Sequence, residues 1–278
     1  MGNHDEQNDV TPITNASVEY GVSTIMPYLN TASIYNARGY GYYDFSTYKI
    51  RMIILNSFDY PDTVLDDQFV FYEDYICWQE AQANFFVNTL LSTPADYTVI
   101  VCSHWCEAGT IDNTKIDQHF GASKIVHNNR TTVGDKTYMS DLVMSDIIAA
   151  YKNRTSLSKT YSYSKGTTSV QYTINADFAN ANGTFAIWLV GHRHLSGVAR
   201  SSVGDYWIYV NDTSDCGTLT GAWATDYTNM PRSRDSADTR DLMTCLSVDT
   251  GNRLLKFTRI GAHINRFLDD ENYLILSY

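Results

Sequence analysis

Apolar residues fall into short unbroken runs separated by long polar stretches. Residues 48–56 end in Met-Ile-Ile-Leu, 97–103 carry Thr-Val-Ile-Val-Cys, and 184–190 read Thr-Phe-Ala-Ile-Trp-Leu-Val. Runs of this length without polar alternation suit strands buried on both faces. Between the first two, residues 79–91 place Ala81, Phe85, Leu90 and apolar neighbours at helical spacing, and Pro94 stops the pattern. Strand, helix and strand in that order predict an α/β sheet in preference to a sandwich made only of strands.

The remaining pattern is less regular. Up to about Tyr42 the chain is rich in Asn, Thr, Ser, Gly and Tyr and reads as a long connection with short elements. Residues 138–151 resemble an amphipathic helix, and 160–177 suit a hairpin turning near Lys165 and Gly166. Further strands are expected at 206–210, 243–248 and 254–260. The polar segment 107–137 reads as a loop excursion near the site. Without repeats or a linker, residues 1–278 are expected to form a single domain, a length that buries a sizeable core.

Composition narrows the partners. The chain is 44% hydrophobic and 18% charged, with no apolar run long enough to span a membrane, so a soluble protein is expected. A net charge of −11 argues against duplex nucleic acid, whose phosphates are bound by Lys and Arg. Bound divalent cations would reverse that field locally, so an acidic chain still suits a phosphate-ester substrate. Cys77, Cys102, Cys106, Cys216 and Cys245 are odd in number and widely spaced, unlike a disulfide framework. The first residues have neither the basic nor the apolar region of a secretory signal, and Glu6 stands where a myristoylation pattern wants Ser or Thr. A cytoplasmic location is therefore expected.

Candidate chemistry lies in three histidine motifs: Gly2-Asn3-His4-Asp5, Ser103-His104, and Gly191-His192-Arg193-His194. A two-metal hydrolytic site needs imidazole, carboxylate and amide oxygen donors at fixed backbone positions. Histidines at i and i+2 in a tight loop after a strand can turn two rings into one pocket, and the preceding glycine allows close backbone approach. Cys102, His104 and Cys106 could suggest zinc, but Cys102 belongs to an apolar strand and the spacing is not that of a structural site. His119, His127 and His263 have no partner motif. Asp44, Asp59, Asp112 and Asp117 read as ordinary loop carboxylates. Tyr40, Tyr42 and Tyr43 are candidates for substrate contact.

Taken in order, these motifs resemble the last three of the calcineurin-like metallophosphoesterase family. The resemblance implies a four-layer α/β sandwich with two mixed sheets between helices, and hydrolysis of phosphate mono- or diesters by metal-activated water. It further implies that Asn3, His104 and His192 bind one metal and His194 the other. His4 would stand beside the phosphate, with Asp5 orienting it. Two divalent cations are implied, drawn from manganese, iron, zinc and magnesium. The family's Asp-x-His and Gly-Asp-x-x-Asp motifs lie upstream of Gly-Asn-His and have no counterpart here, so the N-terminal strands and several metal ligands are expected to be missing. Either the reading frame begins late or the protein is a degenerate relative; a start inside a motif favours the former. The alternative function is a non-catalytic binding or structural module on the same scaffold, of a style associated with bacteriophages.

Overall fold

In the computed structural model, the three apolar runs lie side by side as neighbouring strands. The structure describes residues 36, 38–57, 59, 78–107, 109–117, 132–133, 136–137, 142–165, 168–191, 197–210, 242–261 and 273–278. The described chain opens with a hairpin of β1 (Gly41–Phe45) and β2 (Ile50–Leu55). Helix α1 (Glu80–Leu91) leads into β3 (Thr98–Ser103), and β4 (Ile111–Asp117) follows. A small pair, β5 (Thr132–Val133) and β6 (Lys136–Thr137), precedes helix α2 (Val143–Asn153). Next come the hairpin of β7 (Ser156–Lys165) and β8 (Thr168–Asp177), then β9 (Thr184–Val190), β10 (Gly197–Ser201) and β11 (Trp207–Val210). Strands β12 (Leu242–Asp249), β13 (Leu254–Gly261) and β14 (Tyr273–Ser277) complete the described order.

Seven strands form one mixed sheet in the order β1-β2-β3-β9-β11-β10-β4. Strands β2, β3, β9 and β11 are parallel, while β1 and β10 run against their neighbours. Parallel strands need cover on both faces, and each face here has its own core. On one face Ile53, Val99, Val101, Trp188 and Ile208 pack with residues of α1, α2 and the β7–β8 hairpin. On the other, Ile100, Ile187, Val198 and Tyr209 meet Leu255, Phe257, Leu274 and Leu276 of the three-stranded sheet β12-β13-β14. The Tyr209 and Phe257 rings stack there with centroids 4.2 Å apart.

Register within the main sheet shifts at two places, between β10 and β4 at Ala199–Ser201 and, beside the centre, between β3 and β9. Val99 pairs with Phe185 but Ile100 pairs with Ile187, so Ala186 is an extra residue in β9. The bulge turns both Ala186 and Ile187 into the second core.

Helix α1 buries Ala83, Phe86, Val87 and Leu90, the i, i+3, i+4, i+7 stripe of an amphipathic helix. Its carboxyl end is tied to the sheet by Arg51. That guanidinium donates to Asp44 through Nε and Nη2, both at 2.8 Å, and through Nη1 to Thr89 O at 2.7 Å. Gly183, at φ +77°, enters β9 against Thr93 and Tyr151, where a Cβ would stand 2.5 Å from Thr93 Cγ2.

The expected buried strands, both helices and the 160–177 hairpin are present within a residue or a few of their predicted bounds. Strands β1, β4, β5, β6, β10 and β14 were not foreseen. The segment expected as a surface excursion instead contributes β4, an edge strand paired with β10. Of the two mixed sheets expected, the large one is mixed; the described second sheet is antiparallel. Among the described residues no helix is long and apolar enough to cross a membrane.

Candidate functional site

The parallel strands end on a common edge, because Leu55 pairs with Ser103 and Cys102 with Leu189. In open α/β sheets this carboxyl edge is where polar chemistry collects. Strand β2 passes directly into Asn56 and Ser57, β3 into His104, and β9 into Gly191.

Hydrogen bonds lace these three exits together. Ser57 Oγ donates to Trp105 O at 3.1 Å and accepts from Trp105 N at 3.0 Å. Ser103 Oγ donates to the same carbonyl at 2.6 Å and accepts from Trp188 Nε1 at 2.9 Å. Gly191 N donates to His104 O at 2.9 Å. Half-buried His104 therefore sits in a backbone segment fixed from β2 on one side and from β9 on the other.

Behind the β2 exit lies a buried polar network. Gln82 pairs with the Asn56 backbone, accepting from its N–H at 2.7 Å and donating to its carbonyl at 3.1 Å. Asp59, 1% exposed, accepts from Arg38 Nε at 2.7 Å, Gln79 Nε2 at 2.9 Å and Gln82 Nε2 at 3.2 Å. Asn56 Nδ2 in turn donates to Arg38 O at 2.8 Å. Burial pushes the Asp59 carboxyl above its ordinary range, and the Arg38 charge and hydrogen bonds pull against that. The reading of Asp59 as an ordinary loop carboxylate is thus corrected: Gln79, the cap residue of α1, and Gln82 within the helix both donate to it in its buried position. Asp44, Asp112 and Asp117 also lie in strands, not loops.

A second buried carboxylate follows His104 closely. Glu107 accepts from Met144 N at 2.6 Å, Ser145 Oγ at 2.7 Å and Thr110 Oγ1 at 3.2 Å. It therefore caps the amino end of α2, whose own cap residue Leu142 makes no side-chain cap bond. Cys106 and Tyr206 are buried nearby, close enough for the Glu107 charge to add to the upward shift that burial imposes on both.

Cys102 and Cys106 face different surroundings. Cys102 packs against the core beneath the second sheet and Cys106 lies in the core beneath the helices. Burial pushes the Cys102 thiol up to about 12, so it is an inert apolar filler there. The two thiols therefore belong to different cores, one on each face of the main sheet. Tyr40 is buried against Phe85, and Tyr42 lies beside the same ring and under the Arg51 guanidinium. Tyr40 serves packing, while Tyr42 and Tyr43, 39% and 41% exposed, both stand open at the edge strand.

Of the six predicted site residues, His104 is described; Asn3, His4, Asp5, His192 and His194 lie outside the described residues, as do His119, His127 and His263. The structure brings His104 together with Gly191, the residue that precedes His192. Among the described residues no group of three or more His, Cys, Asp or Glu side chains could hold a metal. Arg38 and Glu107 escaped the sequence reading, and Asp59 entered it only as a loop carboxylate, since their surroundings are assembled from distant segments. Comparison with known protein families, characterised proteins and solved structures returned no match.

Proposed function

We propose that this chain is a metal-dependent phosphoesterase that hydrolyses phosphate mono- or diesters at the carboxyl edge of β2, β3 and β9. The observation that carries the reading is the 2.9 Å bond from Gly191 N to His104 O. It sets the residue before His192 against the histidine that follows β3, the neighbourhood that two motifs of one site require.

On this reading His104, His192 and Asn3 hold one cation and His194 helps to hold the second. Neutral imidazoles and a carboxamide oxygen on strand-end loops suit divalent manganese, iron, zinc or magnesium. Such ions, when bound, supply charge neutralisation at phosphorus and make a water more acidic. His4 protonates the departing alkoxide or stabilises the phosphoryl oxygens, and Asp5 fixes the tautomer of His4. Ser57 and Ser103 hold the Trp105 backbone, which fixes the chain that carries the His104 ring. The finer fold assignment, a four-layer metallophosphoesterase sandwich, goes with this proposal. It is supported by parallel strands ending on one polar edge and by a second sheet packed on the other face.

The test is manganese-dependent hydrolysis of bis-p-nitrophenyl phosphate by the whole chain, measured beside manganese binding. His104→Ala and His192→Ala are expected to lose at least about 100-fold in turnover together with bound metal. Turnover and metal content unchanged in both variants would sink the reading. Neither activity nor bound manganese in this chain and in a folded chain extended upstream in its gene would favour a non-catalytic module, whereas activity in the longer chain alone would mean that upstream ligands complete the site.

A further inference from the structure

Three side-chain oxygens meet where the loop after β3 joins the amino end of α2. Ser145 Oγ is 2.7 Å from Glu107 Oε2, Thr110 Oγ1 is 3.2 Å from the same atom, and the two hydroxyls are 2.8 Å apart. Each side of this triangle is of hydrogen-bond length and calls for a proton between its oxygens. A hydroxyl has one proton to give, so Ser145 and Thr110 supply two for three contacts. With an ionised carboxylate, one contact lacks a proton or two contacts share one. With a protonated carboxyl the ring closes, and each of the three groups donates once and accepts once. Glu107 Oε1 is still free to accept from Met144 N at 2.6 Å.

The surroundings favour the neutral form as well. Glu107, Thr110 and Ser145 are all buried. The titratable groups that face the carboxyl are Cys106 on its own loop, Tyr206 ahead of β11 and Tyr161 of β7. All three are neutral when protonated, and burial holds their protons on. Asp146, the next residue of α2, is engaged by Lys159 Nζ at 2.7 Å and Tyr161 OH at 3.0 Å. An ionised Glu107 would thus have the amino end of α2 to offset its desolvation, but no cation among these neighbours. The joint is also separable from β3. Trp105, closer to the strand, is held by Ser57 and Ser103 without any part of α2.

We propose that Glu107 is a proton-operated latch: its protonated carboxyl closes the loop after β3 onto α2, and its ionisation loosens that joint while β3 and Trp105 stay in place. The proposal does not depend on the phosphoesterase reading. The closed joint holds a proton that the opened joint releases, so the latch is tightest at low pH. Its added hold is complete below about 4.5, weakens as pH rises, and is gone above about 7.

The experiment is a nuclear magnetic resonance pH titration of the full chain, isotopically labelled at the glutamate carboxyl carbons, beside amide hydrogen exchange at pH 6 and pH 8. Wild type and Glu107→Gln are compared. The carboxyl resonance that Glu107→Gln removes is expected to titrate well above the other glutamates, and a midpoint among theirs overturns the proposal. The protection factor of Met144 N–H is expected to fall about 10-fold from pH 6 to pH 8 in the wild type, as values of 4.5 and about 7 for the opened and closed joint require. In Glu107→Gln it should stay nearly constant, because the carboxamide donates into the ring and accepts from Met144 N at either pH. Protection that falls equally in both proteins, or in neither, overturns the latch even if the midpoint is raised. Should Glu107→Gln fail to fold, sequential assignment gives both readings in the wild type, with the β9 amides as internal reference. Met144 protection equal to theirs at both pH values would mean that the joint opens only with the whole fold, and that too overturns the latch.

Discussion

Burial pushes the Glu107 carboxyl up to about 7, although Ser145, Met144 and Thr110 all donate to it. Its unfolded value is near 4.5, so between those values the folded chain holds a proton that the unfolded chain has released. The contribution to stability is full below about pH 4.5, falls as pH rises, and is gone above about 7. The span corresponds to on the order of 3 kcal/mol. Glu107→Gln keeps an acceptor for Met144 N without the ionisation. Urea unfolding at pH 5 and pH 8 should therefore differ less in Glu107→Gln than in the wild type; equal differences in both would show that the carboxyl does not titrate in this window. The same residue marks a limit of legibility. A helix cap is ordinarily sought in the residue before the helix, and here it comes from the loop after β3, so nothing near residue 142 announces it.

Helices and central strands carried their signals in their own residues, while edge elements did not. Strand β9 was predicted at its observed bounds because all seven of its residues suit a strand covered on both faces. Strands β1 and β4 read as polar connection because an edge strand needs apolar residues on little of its surface, and its stability comes from the neighbour with which it pairs. Arg51 illustrates this dependence. It joins β1 through Asp44 to the end of α1 through Thr89 O, so β1, β2 and α1 share one buried cation. Arg51→Met is expected to lower unfolding free energy by about 2–4 kcal/mol, because Asp44 and the helix carbonyl lose a partner together. A shift in the urea midpoint at constant slope would report that loss, and an unshifted midpoint would mean that water replaces the guanidinium without penalty. The candidate site divides in the same way. His104 and Gly191 were legible as motif residues following apolar runs, whereas Asp59 and Arg38 took on their character only when α1 closed over the turn after β2.

At the scale of the molecule, the two faces of the main sheet are covered by parts of unlike sequence range. The β7–β8 hairpin is local, each rung closing over a short stretch from Lys165–Thr168 out to Ser156–Asp177. Its outer side chains are matched across the strands, Ser158 with Asn175 at 2.7 Å and Thr160 with Thr173 at 2.8 Å. The parallel centre is the opposite: β3 must find β9 with the whole hairpin and α2 between them, and Thr98 pairs with Thr184. Loop closure over that distance costs entropy before any strand contact compensates it. Order in time follows from order in sequence. A hairpin can form in about 1–10 μs, whereas sheets built from remote pairs take milliseconds to seconds. In pulse-labelled hydrogen exchange during refolding, amides of β7 and β8 should gain protection before those of β3 and β9, and simultaneous protection would mean that the hairpin waits for its core. Until β9 docks, His104 has no Gly191 beside it, so the carboxyl edge that joins these two residues comes into being among the last events of folding.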